Sequence, residues 1–161
     1  QLTDGASCML ISSEKFCKDK KIKPIAYIKD FAYAGLEGER MGLGPVYAIN
    51  KILKRNKLTL KNIDLFEINE AFAAQVIACL KALNSKEFCK DKLGRDKEIG
   101  EIPLSKLNVN GGAIALGHPV GMTGNRIILH LAKELKRRNL KRGIASLCIG
   151  GGQGGAVLIE V

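Results

Sequence analysis

His118 stands between Gly117 and Pro119, at the end of the glycine-rich stretch Asn108-Val109-Asn110-Gly111-Gly112-Ala113-Ile114-Ala115-Leu116 and just before an amphipathic segment. Cys148 closes an apolar run that passes straight into Gly150-Gly151-Gly152-Gln153-Gly154-Gly155. An imidazole that titrates near neutrality can accept a thiol proton or hydrogen-bond a thioester oxygen. A thiol whose pKa lies near the working pH can give and take a proton in turn. Where side chains are missing after Cys148, backbone N–H groups such as that of Gly150 can approach a substrate and stabilise developing negative charge. Together these residues point to thiol and acid/base chemistry on a small carbonyl substrate. Each also has a plainer explanation. A histidine in a turn can simply bond a carbonyl, and a cysteine ending a strand can be a small buried hydrophobe.

A third polar residue, Asn69, leaves an apolar run ahead of Glu70-Ala71-Phe72, where it could equally cap the next helix. Met41-Gly42-Leu43-Gly44-Pro45 reads as a glycine turn with proline at a helix start. His130 lies within the helical stretch after His118 and reads as a packing or surface residue.

The elements that must carry these residues can be drawn from periodicity. Ala6–Ser12 is a short apolar run suited to a buried strand, and Ser13 caps a basic helix through about Lys21. Ile25–Tyr33 alternates in strand fashion, and Gly35–Gly44 is a loop. A helix from Pro45 repeats Val46, Ile49, Ile52 and Leu53 on one face. Asp64–Ile68 is a strand, and the helix after it buries Phe72, Val76, Cys79, Leu80 and Leu83. Residues 84–106 form a charged insertion that reads as flexible surface. Thr123 caps or opens a helix whose apolar face is Ile127, Ile128, Leu131, Ala132 and Leu135, with Lys136, Arg137 and Arg138 at its negative dipole end. Arg142–Cys148 and Ala156–Val161 are strands joined by the glycine turn. The order implies an α/β fold with a mixed, mostly buried sheet of about five strands covered by helices. Every candidate residue sits after a strand or before a helix, where such folds place ligand crevices.

With 161 residues the chain fits one domain with a real core, and 46% hydrophobic content reads as globular rather than disordered. No apolar run approaches the ~20 residues that span a bilayer. The chain opens on Gln1 without an initiator methionine or signal peptide, which predicts a piece of a longer polypeptide. Five cysteines without metal-ligand spacing speak against a disulfide framework or a metal site and for a reducing compartment. A net charge of +10 suits anions such as CoA phosphates, yet the basic residues are mixed with acidic ones, and no nucleic-acid motif accompanies them. The pentapeptide Phe-Cys-Lys-Asp-Lys occurs at 16–20 and 88–92 without longer continuation, as chance allows in a lysine-rich chain.

Asn69-Glu70-Ala71-Phe72, Gly117-His118-Pro119 and Cys148-Ile149-Gly150-Gly151-Gly152, in this order, resemble the C-terminal half of the thiolases, which cleave or form 3-ketoacyl-CoA thioesters. The resemblance runs from Leu2-Thr3-Asp4-Gly5-Ala6-Ser7 to the last strand. It implies that His118 activates a nucleophilic cysteine and helps form an oxyanion hole, which Asn69 completes through a water. It implies that Cys148 is the acid/base at the substrate α-carbon and that the Gly150 N–H serves a second oxyanion hole. Ala71, Phe72, Met41 and Gly117 would line the substrate pocket, although Phe72 is equally plausible as core.

The acylated cysteine of the family lies in an N-terminal half-domain, so the resemblance makes that half a partner and predicts no thiolysis by this chain alone. CoA enters as substrate, with no cofactor. Dimer and tetramer both remain open, as does a hydratase/dehydrogenase partner subunit. The compartment implied is the cytoplasm, or the mitochondrial or peroxisomal lumen in a eukaryote. Lys23-Pro24-Ile25-Ala26-Tyr27 and the 84–106 insertion resemble the β-oxidation branch. A biosynthetic acetoacetyl-CoA thiolase and a non-catalytic, truncated CoA-binding or dimerisation domain are the alternatives.

Overall fold

The computed structural model describes residues 3–161. Leu2, at the start of the family-like opening, lies outside them. Four strands form one sheet: β1 (Tyr27–Gly35), β2 (Leu65–Ile68), β3 (Arg142–Ile149) and β4 (Gln153–Glu160), in the order β1-β4-β3-β2. β4 pairs antiparallel with both β1 and β3, whereas β2 runs parallel to β3. Parallel neighbours cannot be joined by a tight turn. The chain from β2 to β3 therefore carries α3 (Ala73–Leu83), α4 (Lys86–Leu93), the single turn α5 (Ala113–Leu116) and the long α6 (Val120–Arg137).

Side-chain alternation gives the sheet two apolar faces. On one, α2 (Gly44–Arg55) packs Val46, Ile49, Ile52 and Leu53 against Phe66, Ile68, Ile144 and Leu158. On the other, Ile127, Leu131 and Leu135 of α6 meet Leu65, Ala145 and Ile159. Each fully buried Leu or Ile contributes about 1.5–3 kcal/mol, so both helices are held mainly by this burial. β1 has only its Ala32 and Ala34 side buried; Phe31 and Tyr33 point the other way, 61% and 66% exposed. No helix among the described residues is long and apolar enough to cross a membrane.

The α/β class and mixed sheet are as the sequence implies, but the strand number is four. Ala6–Ser12 forms no strand, and Leu10 and Ile11 are 90% and 70% exposed. An apolar run becomes a strand only where a neighbour completes its backbone ladder. This segment instead crosses the start of α6, where Asn125 Nδ2 donates to Ser7 Oγ at 2.7 Å.

Other expectations shift locally. The 35–44 loop contains a 3-10 helix, Gly38–Leu43. Phe72 is not core: it is the N-cap residue of α3 and 66% exposed. α6 begins one turn before Thr123, with Pro119 at its N-cap. The 84–106 insertion is no bare surface loop, since it holds α4 and buries Cys89, Leu93 and Ile102. The repeated pentapeptide falls in two short helices, α1 (Glu14–Asp19) and α4. Ser13 and Ser85 cap them in the same way, by accepting the N–H of Phe16 and of Phe88. All five cysteines are free thiols.

The β3–β4 turn shows which of its glycines the fold requires. Gly152 has φ +88°, and a Cβ there would sit 2.3 Å from the Leu36 carbonyl oxygen, whereas a Cβ on Gly150 would meet nothing within 4 Å. Gly152→Ala should therefore destabilise the fold by about 2 kcal/mol or more, and Gly150→Ala by less than about 0.5 kcal/mol. Chemical denaturation midpoints of the two variants check this.

Candidate active site

The site is assembled at the C-terminal ends of the parallel pair β2 and β3. Asn69 leaves β2 with its N–H donating to the Ser146 carbonyl at 2.9 Å, so it stays in register with β3 for one residue beyond the strand. It is 2% exposed. It does not cap α3, whose N-cap is Phe72, so the capping explanation of this asparagine fails. Its side-chain Oδ1 is buried without a hydrogen-bond partner among the described residues.

Glu70 and Asn108 fix the turn around it. Asn108 Oδ1 accepts the Ile68 N–H at 2.9 Å, and Asn108 Nδ2 donates to the Ile68 carbonyl and to Glu70 Oε1, each at 2.9 Å. The asparagine side chain thus imitates a neighbouring strand for the last residue of β2. Glu70 Oε2 accepts the Ile114 N–H at 3.0 Å and so satisfies a free donor in the first turn of α5. A Cβ on Gly112 would lie 2.6 Å from this carboxylate, so the glycine is what lets the loop close on Glu70.

From α5 the chain passes through Gly117, which is buried, to His118. Thr123, fully buried inside α6, donates its hydroxyl to the Pro119 carbonyl at 3.1 Å. With that proton committed, the hydroxyl accepts from His118 Nδ1–H at 2.8 Å, and the basic lone pair remains on Nε2. Asn69 Nδ2 points at this nitrogen from 3.3 Å. His118 therefore bonds no carbonyl, as an ordinary turn histidine would. Burial lowers its pKa, and the Arg126 guanidinium, itself donating to the Gly117 carbonyl, adds to the effect. Asn69 and His118 are a built pair: a neutral imidazole base beside an amide donor.

Cys148 is half-buried near the end of β3, with Ile144 and Ser146 on the face that α2 covers. Asn69 and His118 approach from the α6 face. Cys148 shares no hydrogen bond with either among the described residues. Burial raises the Cys148 pKa, so a protonated thiol is its resting form. Gly150 is exposed in the turn that follows. Met41 and Ala71 are partly buried, and Phe72 stands exposed at the mouth of α3.

The remaining thiols lie in other settings. Cys79 is buried and donates to the Gly42 carbonyl, with its pKa pushed up to about 12, mainly by burial. Cys89 is buried against the carbonyls of Ala82 and Leu83. A cleft of about 570 Å³ between Arg40, Leu43, Gln75, Lys81 and Phe88 contains none of Asn69, His118 and Cys148.

Sequence reasoning misses two residues that hold the site, Asn108 and the bonding role of Thr123. Asn108 had a signal: it has φ +45°, a conformation that asparagine tolerates better than most residues. Thr123 had none beyond its place five residues after His118.

A family model for the thiolase C-terminal domain matches residues 22–161. The chain belongs to the thiolase family. A 3-ketoacyl-CoA thiolase of Shewanella loihica is 46% identical over 99% of this chain, which spans 37% of that relative's length. Among solved structures, human mitochondrial 3-ketoacyl-CoA thiolase superposes with a TM-score of 0.80 at 44% identity, over 92% of this chain and 34% of that one. The Bacillus anthracis acetyl-CoA acetyltransferase gives 0.78 at 44% identity, over 92% and 33%.

The thiolase domain has two histidines, and the structure separates them. His118 should titrate below the ordinary 6.5, with the proton of its neutral form on Nδ1. His130, beside Glu67, should titrate above 6.5. Nitrogen-15 NMR of the imidazoles across pH 5–8 reads both midpoints and the His118 tautomer. Two midpoints on the same side of 6.5 would contradict this assignment.

Proposed function

We propose that this domain supplies the acid/base half of a thiolase acting on 3-ketoacyl-CoA and CoA, giving acetyl-CoA and a shortened acyl-CoA. The carrying observation is the Asn69–His118 pair, with the histidine's basic Nε2 facing the Asn69 amide and its other nitrogen committed to Thr123. A domain kept only for dimerisation or CoA binding needs no such pair.

His118 Nε2 takes the proton of an attacking thiol as the thiol adds to the substrate ketone. Protonated, it then donates to the oxyanion together with Asn69. When the C2–C3 bond breaks, the electron pair passes to the acetyl-CoA enolate. The neutral Cys148 thiol gives its proton to that carbon, and the Gly150 N–H holds the thioester oxygen. The acyl group remains on the attacking thiol until CoA displaces it: the Cys148 thiolate takes the CoA thiol proton, and protonated His118 returns its proton to the departing thiolate.

Cys79 and Cys89 are buried against carbonyls, which suits neither to this attack. By its likeness to the thiolases, the acyl-accepting cysteine is expected in an N-terminal half-domain that packs with this one. Two further features follow from this reading. CoA thioesters are substrates rather than cofactors, and the subunits associate as a dimer or tetramer, with a hydratase/dehydrogenase subunit as a candidate partner.

The relatives named as 3-ketoacyl-CoA thiolases favour the degradative substrate range. The acetyl-CoA acetyltransferase among the structural neighbours keeps acetoacetyl-CoA as the second reading. Relative rates on acetoacetyl-CoA and on longer 3-ketoacyl-CoA separate them.

In the full-length polypeptide, His118→Ala and Cys148→Ala should each lower kcat for thiolysis by about 10²–10⁴-fold, with the fold retained by circular dichroism. This chain alone should give no thiolysis above background. Either variant turning over at the unsubstituted rate would remove the basis of the proposal.

A further inference from the structure

His130 reads from the sequence as packing, but the structure places it in a polar cluster that the chemistry above does not use. His130 Nδ1 lies 2.9 Å from Glu67 Oε1, and the Glu67 side chain is only 5% exposed. On its other side, Asn110 Nδ2 lies 3.0 Å from His130 Nε2. The carboxylate accepts from Nδ1–H, which leaves Nε2 to accept from the asparagine. Asn110 also helps hold the Glu134 carboxyl below its usual range; Glu134 is 4% exposed and bonded by Arg137 and Arg138.

The placement of this cluster relative to His118 gives it meaning. Glu67 and Asn69 are two residues apart, so they leave β2 toward the same face. Thr123 and His130 are seven residues apart, two turns along the same side of α6. Asn69–His118–Thr123 and Glu67–His130 are thus successive rungs across one strand–helix interface. Asn110 ties the second rung to the loop whose Asn108 grips Ile68 and Glu70, and that loop leads through α5 into His118.

We propose that His130 is a positioning residue for the Asn69–His118 pair, clasping β2, α6 and the Asn108–Gly112 loop together in its neutral form. Protonation at Nε2 puts an N–H opposite the Asn110 N–H, two donors face to face. Asn110 must then turn its oxygen toward His130, or leave. The charged groups around His130 are Glu67 from β2 and Glu134 and Arg126 from α6 itself. Glu67 raises the pKa and outweighs burial, so the clasp opens as pH falls through a midpoint above 6.5. Neutral His118 persists to lower pH, because its own pKa is depressed.

The catalytic consequence rests on the thiolase reading; the clasp itself can be observed without it. In this chain, the Asn110 side-chain amide signals should shift with the His130 midpoint in NMR spectra. Asn110→Ala should move the His118 midpoint back toward 6.5. An Asn110 amide blind to His130, together with an unchanged His118 midpoint in Asn110→Ala, would overturn the proposal.

In the full-length polypeptide, the kcat–pH profile should show two steps on its acid side, the upper one from His130. His130→Leu should lower kcat about tenfold with KM changed less than about twofold. His130→Gln, whose side-chain oxygen can accept from Asn110 but cannot titrate, should recover most of that loss and lack the upper step. Should His130→Leu fail to fold, Asn110→Ala reports the same kcat loss with Glu67 still paired. Unchanged kcat and pH profile in both Asn110→Ala and His130→Gln would refute positioning. Absence of thiolysis in the unsubstituted polypeptide would instead refute the thiolase reading and leave the clasp to the spectroscopic test.

Discussion

The site depends first on one side chain reaching across a gap in the sheet. β2 is short and edges the sheet, paired with β3 on one side and met on the other by a single bridge from Phe66 to Leu107. Its last residue, Ile68, would present an N–H and a carbonyl with no strand to meet them, and Asn108 bonds both. An orphaned buried backbone group costs about as much as a lost hydrogen bond. The loop is therefore drawn to one place on β2 and not to a neighbouring one. The remaining amide hydrogen of Asn108 reaches Glu70, and Glu70 in turn fastens α5. A single amide thereby brings the end of β2, where Asn69 emerges, into fixed relation with the segment that delivers His118.

The helices act on this joint from outside. α6 brings its apolar stripe against the sheet, and Thr123, on its first turns, sets the ring of His118. Because α6 is held by burial along its length, the histidine's position at its start is stiff although the residues before it are a glycine-rich loop. α2 performs the same service on the opposite face, beneath the strand that ends in Cys148. The two proton-handling groups are therefore anchored to different layers. Both lie near where the parallel strands stop, which is where an α/β sheet leaves room for a substrate.

Much of this was legible in the sequence, and for physical reasons. Helices α2 and α6 follow from apolar residues recurring at helical spacing, and β1 and β3 from short apolar or alternating runs. The local patterns around His118 and Cys148 drew the reading to them because glycines expose what they flank. What stayed hidden depends on partners distant in sequence. Ala6–Ser12 has the composition of a strand, yet it bonds to α6 and not to a sheet edge. Phe72 has a core residue's composition, yet the helix starts one residue after it and turns it outward. Asn108 bonding Ile68, and His130 bonding Glu67, are contacts across forty and sixty-three positions that no local window contains.

The resting charges of the site agree with the chemistry proposed for it. A cysteine and histidine in an electropositive setting commonly share a proton as thiolate and imidazolium. Here burial pushes the two groups apart: the Cys148 thiol holds its proton and the His118 imidazole lacks one. An acid meant for a carbanion must still carry its proton when the carbon–carbon bond breaks. A base meant for an incoming thiol must still have its lone pair. Both conditions hold at neutral pH because burial raises the one pKa and lowers the other. Such a site does not choose the direction of the overall reaction, since a catalyst lowers one barrier for both. What the separated protonation states set is the form in which the resting site meets its first substrate, a protonated thiol and a neutral imidazole.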